Sequence, residues 1–121
     1  MISISELQKF NFENPPNVGL CREIKIQEKY DKFLENPENT NKFVSSVKEQ
    51  LTGKKYILLK NAFPYHIPEG IKHKVCWFTD CNPNEILAEL KSQMDVITCW
   101  RNTPTNCSIL EIKHLHVFVR M

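Results

Sequence analysis

The sequence predicts an α+β domain, with N-terminal helices packed on a mainly antiparallel sheet of about four strands. Two observations support this prediction. Up to residue 53 the apolar side chains recur at helical spacing between prolines, whereas residues 54–121 contain four short apolar or alternating segments and one helical segment. Since a chain of 121 residues can bury a core of its own, we expect a single domain over 1–121, with a helical part at 1–53 and a sheet part at 54–121.

Three helices are predicted in the first part. The first covers residues 5–10, with Ser3 or Ser5 as its N-cap, and the Pro15-Pro16 pair prevents its continuation. The second covers 21–34 before Asn36-Pro37, and its apolar side chains are Ile24, Ile26, Tyr30, Phe33 and Leu34. The third begins at residue 39 or 40, ends at 51, and has one apolar stripe of Phe43, Val44, Val47 and Leu51.

The sheet part begins with a buried strand at 56–60, which a turn-forming loop follows at 61–65. Residues 71–78 alternate as a second strand, a helix is expected at about 84–94, and a third strand at 96–101. A polar loop at 102–107 precedes the last strand at 111–120. Alternation along that strand predicts two sets of side chains on opposite faces, Leu115, Val117 and Val119 against Ile112, His114, His116 and Phe118.

Composition and charge disfavour several classes of protein. The formal net charge is +2 with basic and acidic residues interleaved, so nucleic acid is disfavoured as a partner. The five cysteines are odd in number and never spaced C-x-x-C, which indicates reduced thiols. No apolar run is long enough to span a bilayer, and the N-terminus lacks the features of a secretory signal. We therefore expect a soluble cytoplasmic protein that makes no membrane contact.

The strongest candidate site consists of His73, His114 and His116, each on a predicted strand. Imidazole transfers protons near neutral pH, ligates metals and, when neutral, attacks phosphorus. The alternative is that these histidines are hydrogen-bonded structural groups of the sheet. Zinc would need a further ligand, but Cys76 falls on the face opposite His73 and no zinc motif is present. We therefore predict neither a metal nor a cofactor.

Aromatic and basic side chains near the histidines are candidate ligand contacts. Trp77 could stack on a base or sugar, and Lys72, beside His73, could face a phosphate. The alternative is that Trp77 belongs to the core and Lys72 faces solvent, because aromatic residues on strands are usually buried and lysines are usually exposed. The cysteines are expected to be inert core residues rather than nucleophiles.

An ordered set of motifs resembles the fungal N-acetylglucosamine-induced protein family, a domain of unknown function also found in some large DNA viruses. The motifs are LKNAFPY at 59–65, GIKHKVCW at 70–77, WRNTP at 100–104, Ser108-Ile109 and HLHV at 114–117. The resemblance covers about 56–120, with a looser correspondence around Arg22 and Tyr30. It implies a link to the N-acetylglucosamine response and no settled activity, and it adds Tyr65 to the ligand set. The shorter chain fits a viral version in the host cytoplasm.

A more distant resemblance is to the histidine-triad nucleotide-binding proteins and their uridylyltransferase relatives. There an asparagine precedes a strand with alternating histidines, and Asn102, His114 and His116 stand in comparable order. The resemblance implies that His116 is the nucleophile that attacks an α-phosphate. Phe118 stands where the triad has its third histidine, and the interval from Ser108 to His114 is longer than in the triad proteins.

Together these observations predict a small protein that binds, and could hydrolyse or transfer, a nucleotide or nucleotide-sugar phosphate. His116 would be the nucleophile or phosphate ligand, His114 and His73 would orient it or supply protons, and Asn102 would donate to phosphate or ribose. If the protein is an enzyme, it would be a histidine-triad-like hydrolase or nucleotidyltransferase. The alternative function is a non-catalytic interaction domain with structural histidines. A homodimer is left open.

Overall fold

The structure, a computed structural model, describes residues 1–17, 20–102, 109 and 111–121. Within them the elements follow the predicted order: α1 (Ile4–Leu7), α2 (Ile24–Glu35), α3 (Pro37–Leu51), β1 (Tyr56–Lys60), β2 (Ile71–Phe78), α4 (Pro83–Gln93), β3 (Val96–Trp100) and β4 (Lys113–Arg120). Most of the predicted polar loop at 102–107 lies outside the described residues. No helix in the described ranges is long and apolar enough to cross a membrane.

The four strands form one open antiparallel sheet in the order β1-β2-β4-β3. The two central strands, β2 and β4, pair along their whole length, from Ile71 opposite Arg120 to Phe78 opposite Lys113. The predicted α+β class is therefore confirmed. Its likeness to the histidine-triad proteins in particular stays a prediction.

Short polar residues and prolines determine where the helices begin. The Ser3 hydroxyl accepts the amide N–H of Glu6 at the start of α1. Asn36 and Asn82 cap α3 and α4 in the same way, and each precedes a proline at the first helical position. Proline is favoured there because its missing N–H has no partner in the first turn and its φ already suits a helix. These two helices therefore begin slightly before the predicted positions.

The sheet is covered on both faces, and the alternation predicted for β4 is confirmed. On one face α4 contributes Ile86 and Leu90 to a cluster with Cys76, Phe78, Cys99, Leu115, Val117 and Val119. On the other face the α3 residues Val44, Val47 and Leu51 pack on Ile57, Val75 and Trp77. Nearby, Leu7 of α1 packs with Trp100 and Phe118. As a result every residue of β4 except the first and last is buried.

Helix α2 packs differently from its neighbours. None of its side chains is buried, although its apolar and polar residues segregate along opposite sides of the helix. It contacts α3, and its apolar residues Tyr30, Phe33 and Leu34 line a cavity between the helix and the sheet. The cavity, rather than close packing, therefore lies under this helix.

Truncation of a core side chain of β4 should destabilise the protein strongly. Leu115 is fully buried, so L115A is expected to lower the free energy of unfolding by about 2–5 kcal/mol through lost burial and the cavity it leaves. The matched control is I24A, because Ile24 is 78% exposed and its truncation should cost less than about 0.5 kcal/mol. Urea unfolding measures both. Similar losses for the two variants would contradict the assignment of Leu115 to the core.

Candidate functional site

A cavity of about 270 Å³ lies on the sheet face that carries the histidines. Val75, Trp77, His114, His116 and Asn102 line it from the sheet side. The remaining described lining residues come from α2 and α3, from the segments beside them, and from residues 59–65 and 109; they include Arg22, Tyr30, Phe33, Leu34, Phe43, Lys60, Asn61 and Phe63. Both charged residues in the described lining, Arg22 and Lys60, are basic, and neither aspartate nor glutamate occurs there. The pocket is thus largely apolar with positive charge.

His73 and His116 form a hydrogen-bonded pair beside this pocket. Nε2 of His73 and Nδ1 of His116 are 2.7 Å apart, and the two side chains are 3% and 6% exposed. The backbone N–H of Tyr65 donates to Nδ1 of His73 at 3.2 Å. His116 lines the pocket, whereas His73 stands behind it and makes no part of the lining.

Both imidazoles of the pair are neutral at physiological pH. Burial, together with the positive charge of Arg22, lowers the pKa of His73 to about 3. Burial also lowers the pKa of His116 well below its usual value, with His73, His114 and Arg22 acting in the same direction. A neutral imidazole has one N–H donor and one acceptor nitrogen, so the hydrogen-bond partners determine which nitrogen carries the proton.

His114 is held separately from the pair. Its Nδ1–H donates to the backbone carbonyl of Ile112 at 3.2 Å, and its ring packs on Trp77 with centroids 4.5 Å apart. Burial lowers the pKa of His114, and the charge of Arg101 contributes to this, while the bond to Ile112 opposes it. His114 therefore lines the pocket as a neutral ring with the opposite nitrogen, Nε2, free of the proton.

Asn102 connects the end of β3 to the histidine pair. The indole N–H of Trp100 donates to its Oδ1 at 2.9 Å, which orients the amide. The amide nitrogen then donates to the Tyr65 hydroxyl at 3.3 Å and lies 3.0 Å from Nε2 of His116. Tyr65 also stacks on the His73 ring, with centroids 4.6 Å apart.

Phe118 belongs to the core, and its phenyl ring has no nitrogen that could donate or accept a proton beside His73 and His116. It is fully buried, and its ring stacks on His73 at 4.5 Å and on Trp100 at 4.7 Å between centroids. Its position in β4 is therefore used for packing under the histidine pair.

Comparison with known proteins supports the fold. No protein-family model matches the chain, and no curated protein matches it. A solved crystal structure, that of HTC1, is similar with a TM-score of 0.61 and 16% sequence identity. The alignment covers 84% of this chain and 76% of that chain. At this identity the likeness shows a shared fold alone.

The structure brings most of the predicted site residues together. His73, His116, Asn102 and Tyr65 form one hydrogen-bonded and stacked network, and His114 and Trp77 line the same pocket. Lys72 is the exception. It is exposed and lies on the opposite face of β2 from His73, so it has no place among the residues that line the pocket.

Arg22 is the most important residue that the sequence analysis left out of the site. Its guanidinium lies over the rings of Tyr30 and Tyr65, 4.1 and 4.9 Å from their centroids. Its Nε–H donates to the carbonyl oxygen of Phe63 at 2.7 Å. The looser family resemblance around Arg22 and Tyr30 was the one signal in the sequence that pointed to this cluster.

Metal and thiol chemistry find no support in the described part of the chain. No group of three or more histidine, cysteine, aspartate and glutamate side chains is arranged there to hold a metal ion. Cys76 lies on the α4 side of the sheet, opposite His73, as the alternation predicted. Burial raises the pKa of the Cys76 and Cys99 thiols to about 12, so neither is a thiolate nucleophile at neutral pH.

The buried histidines should make stability depend on pH. In the unfolded chain a histidine titrates near pH 6.5, whereas in the folded protein the pKa of His73 is about 3. Between these values the unfolded state binds more protons than the folded state. The contribution of His73 to the free energy of unfolding is therefore fully present above about pH 6.5 and is lost as pH falls toward 3. Each such histidine adds up to about 1.4 kcal/mol per pH unit to the slope of the free energy of unfolding against pH.

Urea unfolding between about pH 7.5 and pH 4.5 measures this slope. H73Q removes one of the buried histidines and should flatten the curve by up to about 1.4 kcal/mol per pH unit. I24A, a substitution at an exposed position that changes no titratable group, is the control and should keep the wild-type dependence of the free energy of unfolding on pH. An H73Q curve as steep as that of the wild type would show that His73 accepts its proton within the folded protein.

Proposed function

We propose that this protein binds a nucleotide or sugar nucleotide in the pocket, with a phosphate near Arg22, His116 and Asn102 and the base or sugar among the aromatic rings. The observation that supports this most directly is the composition of the lining. N–H donors and a cation converge at one end, aromatic rings line the walls, and the described lining contains no carboxylate.

The charges favour an anionic ligand. Arg22 is half-buried, and no carboxylate among the described residues forms an ion pair with it. A guanidinium in partly desolvated surroundings interacts strongly with phosphate, which it can bind through two N–H groups. A carboxylate in the same pocket would repel such a ligand, and its absence from the described lining removes that penalty.

The walls favour a ligand with a planar or apolar portion. Phe63 packs against both Tyr30 and Phe33, each with ring centroids 5.3 Å apart, so three rings form a continuous aromatic wall. The cavity of about 270 Å³ is slightly smaller than the ordinary range for ligand sites, about 300–1,000 Å³. A mononucleotide therefore suits it better than a large cofactor.

The proposal is binding rather than turnover. Phe118, which packs under the pair, stands where the triad proteins have their third histidine, and both His73 and His116 are buried. A sugar nucleotide is included because of the resemblance to the N-acetylglucosamine-induced family, and UDP-N-acetylglucosamine is the natural representative of that class.

Thermal shift and calorimetric titration with AMP, UMP and UDP-N-acetylglucosamine test this proposal, with adenosine and uridine as controls that lack phosphate. A ligand at about 100 times its Kd should stabilise the protein by about 2.7 kcal/mol, whereas the nucleosides should bind much more weakly. R22Q should weaken nucleotide binding by about tenfold or more through the loss of a charged contact.

K72Q is the matched control for R22Q, because it removes the same charge from the opposite face of the sheet. It should change affinity by less than about twofold, since exposed charges contribute little. Equal binding of adenosine and AMP would contradict recognition of the phosphate. No binding of any nucleotide would favour the alternative, an interaction domain with structural histidines.

A further inference from the structure

One side of β1 faces away from the sheet, because among the described strands β1 pairs with β2 alone. The backbone N–H of Asn61, just after β1, donates to the carbonyl of His73 at 3.1 Å, so these opposite residues form a hydrogen-bonded pair. Hydrogen-bonded and non-bonded pairs alternate along an antiparallel ladder, so Ile57 and Leu59 also direct their N–H and C=O groups toward β2. The backbone groups of the intervening residues therefore point outward.

Three residues of β1 present their backbone groups on this outer edge. They are Tyr56, Leu58 and Lys60, and within the described residues no backbone hydrogen bond reaches them from outside the sheet. Proteins often protect such an edge with proline or with charged side chains. In β1 there is no proline, and the one charged residue, Lys60, stands at the last position. The edge is therefore suited to pairing with another extended strand.

The side chains of β1 alternate between the two faces of the sheet. Tyr56 and Leu58 pack on the cluster beneath α4, whereas the residues between them face α3. Alternation places Lys60 on the α4 face too, although part of this residue also lines the pocket at the end of the strand. The hydroxyl of Tyr56 interacts with the carboxylate of Glu89 on α4. One end of the edge thus carries a lysine and the other end a tyrosine beside a carboxylate.

The outer edge of β1 is complementary to itself. Two copies of β1 related by a two-fold axis run antiparallel, and with Leu58 opposite its own copy, Tyr56 lies opposite Lys60 of the second copy. These are the residues whose backbone groups point outward, so every outward N–H and C=O of the strand gains a partner. On the α3 face, Ile57 then lies opposite Leu59 of the second copy, which pairs two apolar side chains.

Charge selects this register over its neighbours. It places Lys60 across from Tyr56 of the second copy, beside the α4 carboxylate that this tyrosine contacts. Centring the pair on Ile57 would place Lys60 opposite Lys54, and centring it on Lys60 would place this side chain opposite its own copy, so that like charges repel. Centring on Leu59 would give Lys60 an apolar partner.

We propose that two copies of this chain associate through their β1 edges, with Leu58 opposite itself, and join their four-stranded sheets into one continuous sheet. The partner is a second copy because the same short strand supplies both the donors and acceptors and both members of the charge pair. The strand has five residues, so the interface is small and the association depends on concentration. The interface requires no ligand in the pocket.

Sedimentation velocity and amide hydrogen exchange on the full chain, between about 10 μM and about 1 mM, test the proposal. The mass should rise with concentration from 14.2 kDa toward twice this value. Exchange at the outward amides of Tyr56, Leu58 and Lys60 should slow by about fivefold or more. The amides of Ile57 and Leu59, which already bond to β2, should change by less than about twofold. The mass of one chain at every concentration, or a dimer whose outward amides stay unprotected, would overturn the proposal.

Two substitutions at Leu58 separate the backbone pairing from the side chain. L58P removes the outward N–H at the centre of the pair, at a position where an edge strand tolerates proline, and should be a monomer over the whole range. L58A keeps this N–H and should weaken the dimer by no more than about fivefold. A dimer of L58P as tight as that of the wild type would contradict pairing through this edge.

Charge reversal gives a second readout that does not depend on proline being tolerated. K60E places a carboxylate beside Glu89 of the second copy and should weaken association by about tenfold or more, and K60E/E89K should recover most of the loss. K60E should leave the monomer folded, since Lys60 is exposed and lies opposite Lys74 on β2. The matched control is K72E, a reversal on β2 that should change association by less than about twofold. Association unaffected by K60E, or not recovered in the double variant, would overturn the register.

Discussion

The constraint on which the site depends is that β4 is covered on both faces, so each polar group on this strand needs a partner inside the protein. Two histidines stand on the face beneath α3 and the pocket. One bonds to a backbone carbonyl, and the other bonds across the sheet to His73 at 2.7 Å. This second bond joins the two central strands through their side chains. It also connects His116, through His73, to the loop that precedes β2, where the backbone N–H of Tyr65 donates to His73.

The electrostatic character of the pocket follows from the same burial. Desolvation keeps the imidazoles uncharged, so the positive charge of the described lining comes from Lys60 and from Arg22, whose guanidinium lies over the rings of Tyr30 and Tyr65. Under the proposed function, Arg22 and Lys60 would attract an anion without a fully charged histidine cluster, whose self-repulsion would be costly.

The elements of the fold were predictable because their signals are local. Asn36-Pro37 and Asn82-Pro83 mark helix starts through their own chemistry, and strict alternation placed Leu115 and His116 on opposite faces of β4. Alternation also separates Lys72 from His73, although the two are adjacent in sequence and were assigned to one site. Arg22 could not be assigned from local pattern, because its place depends on how the segment before α2 meets Phe63 and Tyr65, a tertiary contact. The pair of His73 and His116 likewise depends on the pairing of β2 with β4, which is a tertiary contact.

Helix α2 rests on a cavity instead of on strand side chains, and this has a kinetic consequence. An element with no buried residue opens locally at small free-energy cost compared with the sheet. A molecule held between α2 and the sheet would serve as the layer that the helix otherwise lacks, so local opening of α2 should become slower when the pocket is filled. Amide hydrogen exchange along α2 would then report on the filling of the pocket, far from the histidine pair itself.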